Sequence, residues 1–196
     1  GYRKIPPLPV DRRVLIVIFI LTSIPEKDQK AKEAIMAFED YTTHPFTKFD
    51  KDWALLTAGT MNDFNSMTIS WGGLGTLWER PVATVYVKKN RYTFEFMEES
   101  DYFTVSFYPK EQRRALSLLG STSGRNGDKV AAAGLTPELL PQGITFRQAE
   151  TTLVCRKIYC QDLDLEQIPQ EARDAFYKDE PVHRMYIGEV VEIIKG

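Results

Sequence analysis

The stretch from Asn65 to Thr93, NSMTISWGGLGTLWERPVATVYVKKNRYT, decides the predicted fold. Hydroxyl and apolar residues alternate over 66–70, which is the period of a strand with one polar and one buried face. After this strand come Trp71-Gly72-Gly73 and a second glycine position at Gly75. Pro81 opens a second apolar run, and proline is tolerated at the first residue of a strand. A helix is predicted to begin at Arg91, so the stretch indicates two strands followed by a helix.

The same stretch carries the residues that predict a binding site. Ser66, Thr68 and Ser70 share one face of the predicted strand, where their hydroxyls can form hydrogen bonds. Arg91 stands at a predicted helix start, where a cation, the helix dipole and free backbone amides all favour an anion. Alone, each residue is commonly a surface hydroxyl or a salt-bridge partner. Together with Trp71 and the glycines, they predict a site for a ligand with a phosphate group and a flat ring.

The composition narrows the classes of function. With 196 residues, 43% hydrophobic and 27% charged, the chain has the balance of a soluble globular domain that can bury a core. Its formal net charge of -2 provides no general attraction to nucleic acid or to an anionic membrane surface. We therefore expect no nucleic-acid partner.

Motifs of the common catalytic classes are missing from the sequence. It has no G-x-S-x-G elbow of a serine hydrolase and no P-loop. The glycines within 72–75 do not form G-x-G-x-x-G, and no strand-helix-strand unit surrounds them, which argues against a Rossmann fold. The basic pairs at 88–89 and 113–114 are typical of solvated faces. After these exclusions, the predicted site for a ligand with a phosphate group and a flat ring is what remains as a functional site.

The cysteines and histidines argue against a disulfide and a metal site. Cys155 and Cys160 are five positions apart in a predicted strand, so their side chains point to opposite faces. They lack the Cys-x-x-Cys spacing of a zinc site, and only His44 and His183 could add further ligands. We expect two reduced thiols in a cytoplasmic protein, with no bound metal.

An apolar run near the N-terminus leaves two interpretations open. Residues 14–21 are eight consecutive apolar residues, too few for a membrane-spanning helix, which needs ~20. The run is β-branched and fits a buried strand, but the basic residues before it also resemble the flank of a signal-peptide core. After it, a helix is predicted from Glu26 to Phe38.

Strands dominate the rest of the chain and mostly follow one another. Alternating, β-branched runs at 149–163 and 182–194 predict the longest two of them. Thr136 and Pro137 are predicted to start one of the few short helices, with proline at its first position. This order of elements favours an antiparallel barrel or sandwich over a strand-helix-strand array.

At this point the chain resembles the flavin reductase-like, FMN-binding split-barrel family, close to its flavoredoxin-type members. Several separate blocks within residues 51–194 carry the resemblance. The blocks are NSMTISWGGLG at 65–75, RPV at 80–82, NRYT at 90–93, GSTSGR at 120–125 with DK at 128–129, CRK at 155–157, QDLD at 161–164 and HRMYIGEV at 183–190. Residues 1–36 fall outside them, which predicts an N-terminal extension followed by a domain at 37–196.

The resemblance implies a fold, an assembly and a cofactor. The expected fold is mainly β, a six-stranded antiparallel Greek-key split β-barrel with short peripheral helices. The expected assembly is a homodimer that binds FMN at the interface between its subunits.

The resemblance also implies roles for particular residues. The segment from Asn65 to Trp71 is expected to lie along the isoalloxazine ring and ribityl chain, and Arg91 and Thr93 are expected to bind the phosphate. His183 and Tyr186 are expected to approach the ring, from the same or the second subunit. The expected cofactor-binding residues are Asn65, Ser66, Met67, Thr68, Ile69, Ser70, Trp71, Arg91, Tyr92, Thr93, Ser123, Gly124, Arg125, Lys129 and Tyr186. His183 is either a catalytic proton source or a strand histidine whose hydrogen bonds are satisfied.

The activity that the resemblance implies is oxidoreduction through FMN, with NAD(P)H as the electron donor. The acceptor is expected to be a flavin or another small molecule, while the protein supplies orientation and hydrogen-bond donors. A non-enzymatic FMN electron carrier that serves redox partner proteins would use the same pocket. So would a flavin-binding module without turnover, and the sequence leaves these alternatives open.

Overall fold

A computed structural model describes residues 35–196 of the chain. In this range the strands are β1 (Ile35–Met36), β2 (Ala54–Thr60), β3 (Asp63–Ile69), β4 (Gly72–Leu77), β5 (Arg80–Lys88), β6 (Tyr102–Phe107), β7 (Pro137–Leu140), β8 (Gly143–Phe146), β9 (Thr151–Asp162) and β10 (His183–Lys195). The α-helices are α1 (Tyr92–Glu99), α2 (Arg113–Ser121), α3 (Lys129–Ala132) and α4 (Gln170–Phe176). Short 3₁₀ or π turns lie at Phe38–Asp40, Lys48–Asp52, Lys110–Gln112, Gly124–Asn126 and Leu165–Gln167.

The strands form one large antiparallel sheet and a separate hairpin of β7 and β8. The large sheet follows the order β3-β2-β6-β9-β10-β5-β4, with β1 paired to the end of β10. The predicted mainly β class, with an antiparallel sheet and short helices, is therefore confirmed. Within the described residues the large sheet has eight strands instead of six, because β1 and the glycine-rich β4 also join it.

A two-residue connection curls the large sheet into a barrel. β3 and β4 lie at opposite ends of the strand order, yet only Ser70 and Trp71 separate them in the chain. The sheet must therefore curl until its two edges approach, as the twist of strands allows. β3 pairs with β2 alone among the described strands. The barrel is thus split at a seam where one edge of β3 keeps unpaired backbone groups.

The glycine-rich segment after β3, to which the sequence pattern assigned no element, is the strand β4. β4 pairs along its whole length with β5, and the turn follows it at Trp78 and Glu79, whose φ angles are 52° and 60°. Positive φ at both central residues is the geometry that a tight hairpin requires. A Cβ atom at Gly72 would lie 2.6 Å from the Phe49 ring. Glycine is used there for close packing rather than for a turn.

The two faces of the sheet pack against two separate apolar cores. One lies inside the barrel and includes Leu56 of β2 and Phe103 of β6. The other includes Leu116 of α2 with Leu55 of β2 and Phe146 of β8. Full burial of each such side chain stabilises the fold by about 1.5–3 kcal/mol. Because β2 is packed on both faces, it gives its neighbour β3 a fixed support at the seam.

Two other local predictions are wrong where the structure describes the chain. Pro137 begins β7 rather than a helix, because a proline is accepted at a strand's first residue and β8 pairs alongside it. Ile35 and Met36, predicted near the end of a helix, form β1 against Ile194 and Ile193 of β10. The remainder of that helix and the run at 14–21 lie outside the described residues.

Cys155 is buried and Cys160 is exposed, as expected for side chains on opposite faces of β9, and both are free cysteines. Between residues 35 and 196, no helix is both long and apolar enough to cross a bilayer. The boundary between an extension and a domain at residues 36 and 37 stays a prediction.

Candidate functional site

A cavity of about 450 Å³ opens at the seam of the barrel, and we call it the seam cavity. β3, the end of β5, the start of α1, the segment from α2 to α3, and the first residue of β10 contribute to its lining. The lining residues are Asn65, Met67, Thr68, Ile69, Ser70, Trp71, Tyr86, Lys88, Asn90, Arg91, Tyr92, Thr93, Leu119, Gly120, Ser121, Thr122, Ser123, Gly124, Asn126, Lys129 and His183. Its volume is typical of small-molecule sites. All the predicted site residues except Ser66, Arg125 and Tyr186 line it.

The predicted row of hydroxyls on β3 is largely used within the fold. Ser66 is fully buried and its hydroxyl lies 2.8 Å from that of Thr57, which stands opposite it in the β2–β3 register. The Thr68 hydroxyl donates to the carbonyl of Leu116 on α2. The prediction that Ser66 faces the ligand is therefore corrected, because a hydroxyl on the neighbouring strand satisfies it. Ser70 remains in the lining of the cavity.

Arg125 and Tyr186 also lie outside the cavity lining. Arg125 forms an ion pair with Glu95, and its guanidinium lies 4.7 Å from the centre of the Tyr92 ring. Tyr186 has no exposed surface, and its hydroxyl donates to Glu98 at 2.6 Å. Carboxylates on α1 hold these two side chains away from this cavity, and their predicted contacts with FMN stay predictions.

The seam cavity has a cationic part formed by Arg91 and Lys129. Arg91 is the residue before α1, and Lys129 is only 6% exposed although its ammonium group is charged. The Lys129 Nζ donates to the carbonyls of Leu119 at 3.0 Å and Thr122 at 2.9 Å, which leaves one of its three donors. Within residues 35–196 neither cation forms an ion pair. A buried cation without a counter-charge favours an anionic ligand.

Burial and a neighbouring cation change the acidity of Lys129. Burial, and then the charge of Arg91, lower the pKa of Lys129 from 10.5 to about 8. Both effects disfavour the ammonium form. An anion bound between the two cations would outweigh the repulsion from Arg91. It would also compensate the cost of burying the charge of Lys129. Lys129 is therefore protonated at neutral pH but close to losing its charge.

The start of α1 adds hydrogen-bond donors beside these cations. Asn65 donates through its side-chain amide to the Thr93 hydroxyl at 2.7 Å, so the hydroxyl proton of Thr93 stays available. No side chain caps the first amides of α1. The loop packs closely here, because a Cβ atom at Gly124 would lie 2.3 Å from the Asn65 side-chain oxygen. The arrangement can bind an anion through charge and amides together.

Another part of the seam cavity is aromatic. The Trp71 ring lies 5.2 Å from the His183 ring and 5.1 Å from that of Phe176. Asn65 and Trp71 are six residues apart on an extended segment, so about 20 Å separates them. The cavity thus offers a flat apolar wall at one end of β3 and polar groups near the other.

His183 is held as a neutral imidazole in this aromatic part. Its Nδ1 lies 2.9 Å from the Tyr177 hydroxyl. Burial, followed by the charges of Lys88 and Arg91, lowers the pKa of His183 to about 4. At neutral pH the ring therefore carries one proton and no charge. The structure gives His183 one side-chain hydrogen-bond partner, at Nδ1, and places its ring in the lining of the cavity, so both predicted roles stay predictions.

Several lining residues were missed by sequence reasoning. Lys88 is among them, and its Nζ donates to the Phe176 carbonyl at 3.2 Å and to Glu180 at 3.4 Å. Asn90 donates to the same carboxylate at 2.9 Å. The alternation of residues in β5 places Tyr86 and Lys88 on one face, and this pattern could have predicted that both lie in the lining. The other missed residues are Leu119, Gly120, Ser121, Thr122 and Asn126.

This chain is similar to known proteins in sequence pattern and in fold. The model of the flavin reductase like domain family matches residues 46–195. No protein with a curated description matches the sequence.

Solved structures share the fold at low sequence identity. Flavoredoxin of Desulfovibrio vulgaris (Miyazaki F) is 20% identical with a TM-score of 0.59, over 82% of this chain and 76% of that one. An FMN-binding domain of a flavin reductases-like enzyme from Shewanella baltica OS155 is 19% identical with a TM-score of 0.58, over 83% and 76%. Nitrilotriacetate monooxygenase component B from Bacillus cereus is 16% identical with a TM-score of 0.58, over 100% and 83%.

Proposed function

The chain belongs to the flavin reductase like domain family, and on that premise we propose that it is an FMN-binding oxidoreductase. The observation that carries the proposal is the buried Lys129 beside Arg91, two cations without carboxylate partners in the described part of the chain, in a cavity that also has an aromatic wall. A flavin with a phosphate group has both complementary features. The names of similar structures, which include flavoredoxin and an FMN-binding domain, agree with this choice.

The residues of the seam cavity fit FMN group by group. Arg91, Thr93, Lys129 and the first amides of α1 would hold the phosphate. The unpaired edge of β3 offers backbone donors and acceptors to the polar edge of the ring system. Trp71 would cover the flat ring at the far end of the strand. FMN, when bound, supplies the capacity to accept and deliver hydride.

The protein's own contribution to the reaction is orientation and hydrogen bonding. With the Tyr177 hydroxyl donating to Nδ1, His183 carries its proton on Nε2 and can donate there to a group in the cavity. A neutral histidine with a pKa of about 4 is a hydrogen-bond donor at neutral pH rather than a source of imidazolium protons. His183 therefore orients a bound group, and Trp71 excludes water from the ring beside it.

We propose NAD(P)H as the electron donor and a flavin or another small molecule as the acceptor. The test is rapid mixing of the FMN-loaded protein with NADH and, separately, with NADPH. The visible absorbance of the flavin is expected to bleach within seconds, the range of ordinary turnover. Stable absorbance with both nucleotides, together with bound FMN, would instead favour a non-enzymatic electron carrier or a flavin-binding module.

We also propose a homodimer with FMN at its interface, in the cytoplasm. Large aromatic side chains stay exposed beside the seam cavity, at 42% for Trp71 and 47% for Phe176, as is common at surfaces that meet a partner. The free thiols of Cys155 and Cys160 suit a reducing compartment. A monomer in light scattering at micromolar concentration that still holds FMN would contradict the interface site.

A further inference from the structure

A cavity with a basic lining lies at the first turn of α2, and we propose that it binds a phosphate group, either free or on a small molecule that also carries hydroxyl groups. We call it the basic cavity. It measures about 450 Å³, and Lys48, Lys110 and Arg113 are among its lining residues. It shares no described lining residue with the seam cavity, and it contains neither Trp71 nor Phe176, on which the proposed dimer interface rests. The inference is therefore independent of the proposed function.

The first turn of α2 carries cations at the end of a helix that is itself positive. Arg113 and Arg114 are the first two residues of α2, and this turn contains no acidic residue. Lys110 begins the 3₁₀ turn that leads into the helix, and Glu111 of that turn does not line the cavity. Positive charges are unfavourable at a helix N-terminus, whereas a bound anion is favourable there. An anion in the basic cavity would therefore offset this repulsion.

Arg113 is held in place by contacts that an ordinary surface arginine does not have. Its guanidinium carbon lies 3.1 Å from the centre of the Trp53 ring, and its Nη1 donates to the carbonyls of Lys51 at 2.5 Å and Asp52 at 3.3 Å. Nε and Nη2 keep their donors, which form part of the planar fork that matches two oxygens of a phosphate group. The fixed guanidinium is thus oriented before any ligand binds.

The charges of the lining do not cancel. Two of the four lysine and arginine side chains in the described lining pair with aspartates, at 3.6 Å and 2.6 Å. Lys110, Arg113 and Glu150 also line the cavity, and none of them forms an ion pair with any residue in 35–196. Two cations thus remain for one carboxylate, which favours an anionic ligand. The Glu150 carboxylate can accept hydrogen bonds from hydroxyl groups on that ligand.

Tyr108 adds a buried hydroxyl group to the lining of the basic cavity. The residue is 5% exposed, and no atom of the described chain completes a hydrogen bond with this hydroxyl. The Ser106 hydroxyl lies 3.0 Å from that of Thr152 instead. Burial raises the pKa of Tyr108 above 10.0, against a smaller opposite effect of Ser106, so the hydroxyl keeps its proton. Because buried polar groups almost always have a partner, a phosphate oxygen would supply the acceptor for this donor.

The test is a calorimetric titration of the full chain, in the presence of saturating FMN, with inorganic phosphate, glycerol 3-phosphate and glycerol. We expect both phosphates to bind and glycerol to show no binding, because the cations recognise the phosphate group. Tighter binding of glycerol 3-phosphate supports a ligand whose hydroxyl groups contact Glu150, and equal binding of the two phosphates supports a site for free phosphate. No binding of either phosphate at millimolar concentration overturns the inference.

Adjacent arginines provide a matched pair of variants. Arg113→Gln removes the fixed guanidinium, whereas Arg114→Gln removes the same charge from an exposed residue that lines neither cavity. We expect Arg113→Gln to weaken phosphate binding about tenfold or more, the effect of a charge-assisted hydrogen bond, and Arg114→Gln to leave it nearly unchanged. Equal losses in the two variants would indicate general attraction between charges and would overturn the site.

Tyr108→Phe provides a readout that a purely structural hydroxyl would not give. Because the hydroxyl has no partner among the described residues, its removal should leave the free energy of unfolding unchanged or raise it. Phosphate binding should nevertheless weaken about fivefold, the effect of one hydrogen bond. Denaturant titration and calorimetry measure the two quantities. Lower stability together with unchanged phosphate affinity would contradict the site.

Arg91→Ala separates the basic cavity from the proposed flavin site. Arg91 lines the seam cavity and not the basic cavity, so the variant should weaken FMN binding and leave phosphate binding unchanged. Phosphate binding that is lost in Arg91→Ala and kept in Arg113→Gln would place the phosphate in the seam cavity, which overturns the inference and leaves the proposed function standing. Phosphate binding that is lost in Arg113→Gln, in a chain that does not bind FMN, would support the basic cavity and contradict the proposed function.

Discussion

The two cavities that meet at Trp71 and His183 have opposite electrostatic character. The seam cavity gathers Lys88, Arg91 and Lys129. A neighbouring cavity of about 490 Å³, which we call the outer cavity, has aromatic walls that include Phe46 and Tyr177 and no lysine or arginine in its described lining. The difference follows from what builds each wall, because a strand edge and a helix start offer amides, and apolar loops offer rings. The lining of the seam cavity therefore suits an anionic ligand, whereas the lining of the outer cavity offers an anion no cation.

The largest expected effect comes from removing the phosphate of the cofactor. Riboflavin has the ring of FMN but nothing for Arg91 and Lys129 to bind, so we expect its affinity to be lower by about 3 kcal/mol or more, on the order of 100-fold. Parallel fluorescence titrations of the two flavins measure this difference. Equal affinities would mean that the two cations do not recognise the ligand.

Arg91→Ala should weaken FMN binding by about 1.5–3 kcal/mol, the value of a charge-assisted hydrogen bond. The same substitution should leave riboflavin affinity unchanged, which separates loss of a phosphate contact from damage to the cavity. Arg114→Ala removes an exposed arginine that does not line the cavity, and serves as the matched control. A loss of riboflavin binding in Arg91→Ala would assign the residue a structural role.

Raising the pH should weaken FMN binding, because Lys129 loses its charge. In the unliganded protein its pKa is lowered to about 8, so the fraction that is protonated falls about tenfold for each pH unit above that value. The phosphate is already a dianion in this range. We expect FMN affinity to fall about tenfold between pH 8 and pH 9.5 in calorimetric titrations. Lys129→Met should bind more weakly at neutral pH and show no such step.

Trp71→Ala tests the boundary between the two cavities. Its ring should contribute about 1 kcal/mol of stacking, so FMN and riboflavin should both bind about fivefold more weakly. An effect on FMN alone would place Trp71 near the phosphate. That result would contradict the assignment of Trp71 to the aromatic part of the seam cavity. Fluorescence titration of both flavins with the same variant distinguishes the two results.

A separate prediction concerns stability in acid. The folded-state pKa of His183, about 4, lies below its unfolded value of about 6.5. The unfolded state therefore binds more protons between these values, and the free energy of unfolding falls as the pH drops from about 6.5 to about 4. His183→Asn should flatten the pH dependence in that window. Denaturant titrations of both proteins measure it, and identical slopes would contradict the assignment.

Local sequence signals predicted β3 and the start of the next helix, and they selected Arg91 and Trp71, which both line the seam cavity. The alternation over 66–70 and the start of α1 at Arg91 depend on neighbouring residues, so a single stretch contains enough information. The structure places Trp71 in the lining, as that stretch implied. The family resemblance supplied Lys129, whose burial no local pattern reveals.

Side-chain direction and distant partners were not predictable in the same way. Ser66 turns to Thr57 and Tyr186 turns to Glu98 because of strand register and helix placement, which the short stretches do not encode. The glycines of β4 carry no alternation, so period-based reasoning assigned no strand where β4 pairs with β5. The outer cavity joins Phe46 to Tyr177, residues that only the complete fold brings to one site.

An equilibrium titration of the purified chain with FMN, followed by flavin fluorescence, tests directly whether the seam cavity binds the phosphate-bearing flavin. We predict saturable binding of one FMN for each chain, with riboflavin on the order of 100-fold weaker. No saturable FMN binding at micromolar concentration, or equal binding of FMN and riboflavin, would contradict the assignment of the seam cavity as a site for the phosphate-bearing flavin.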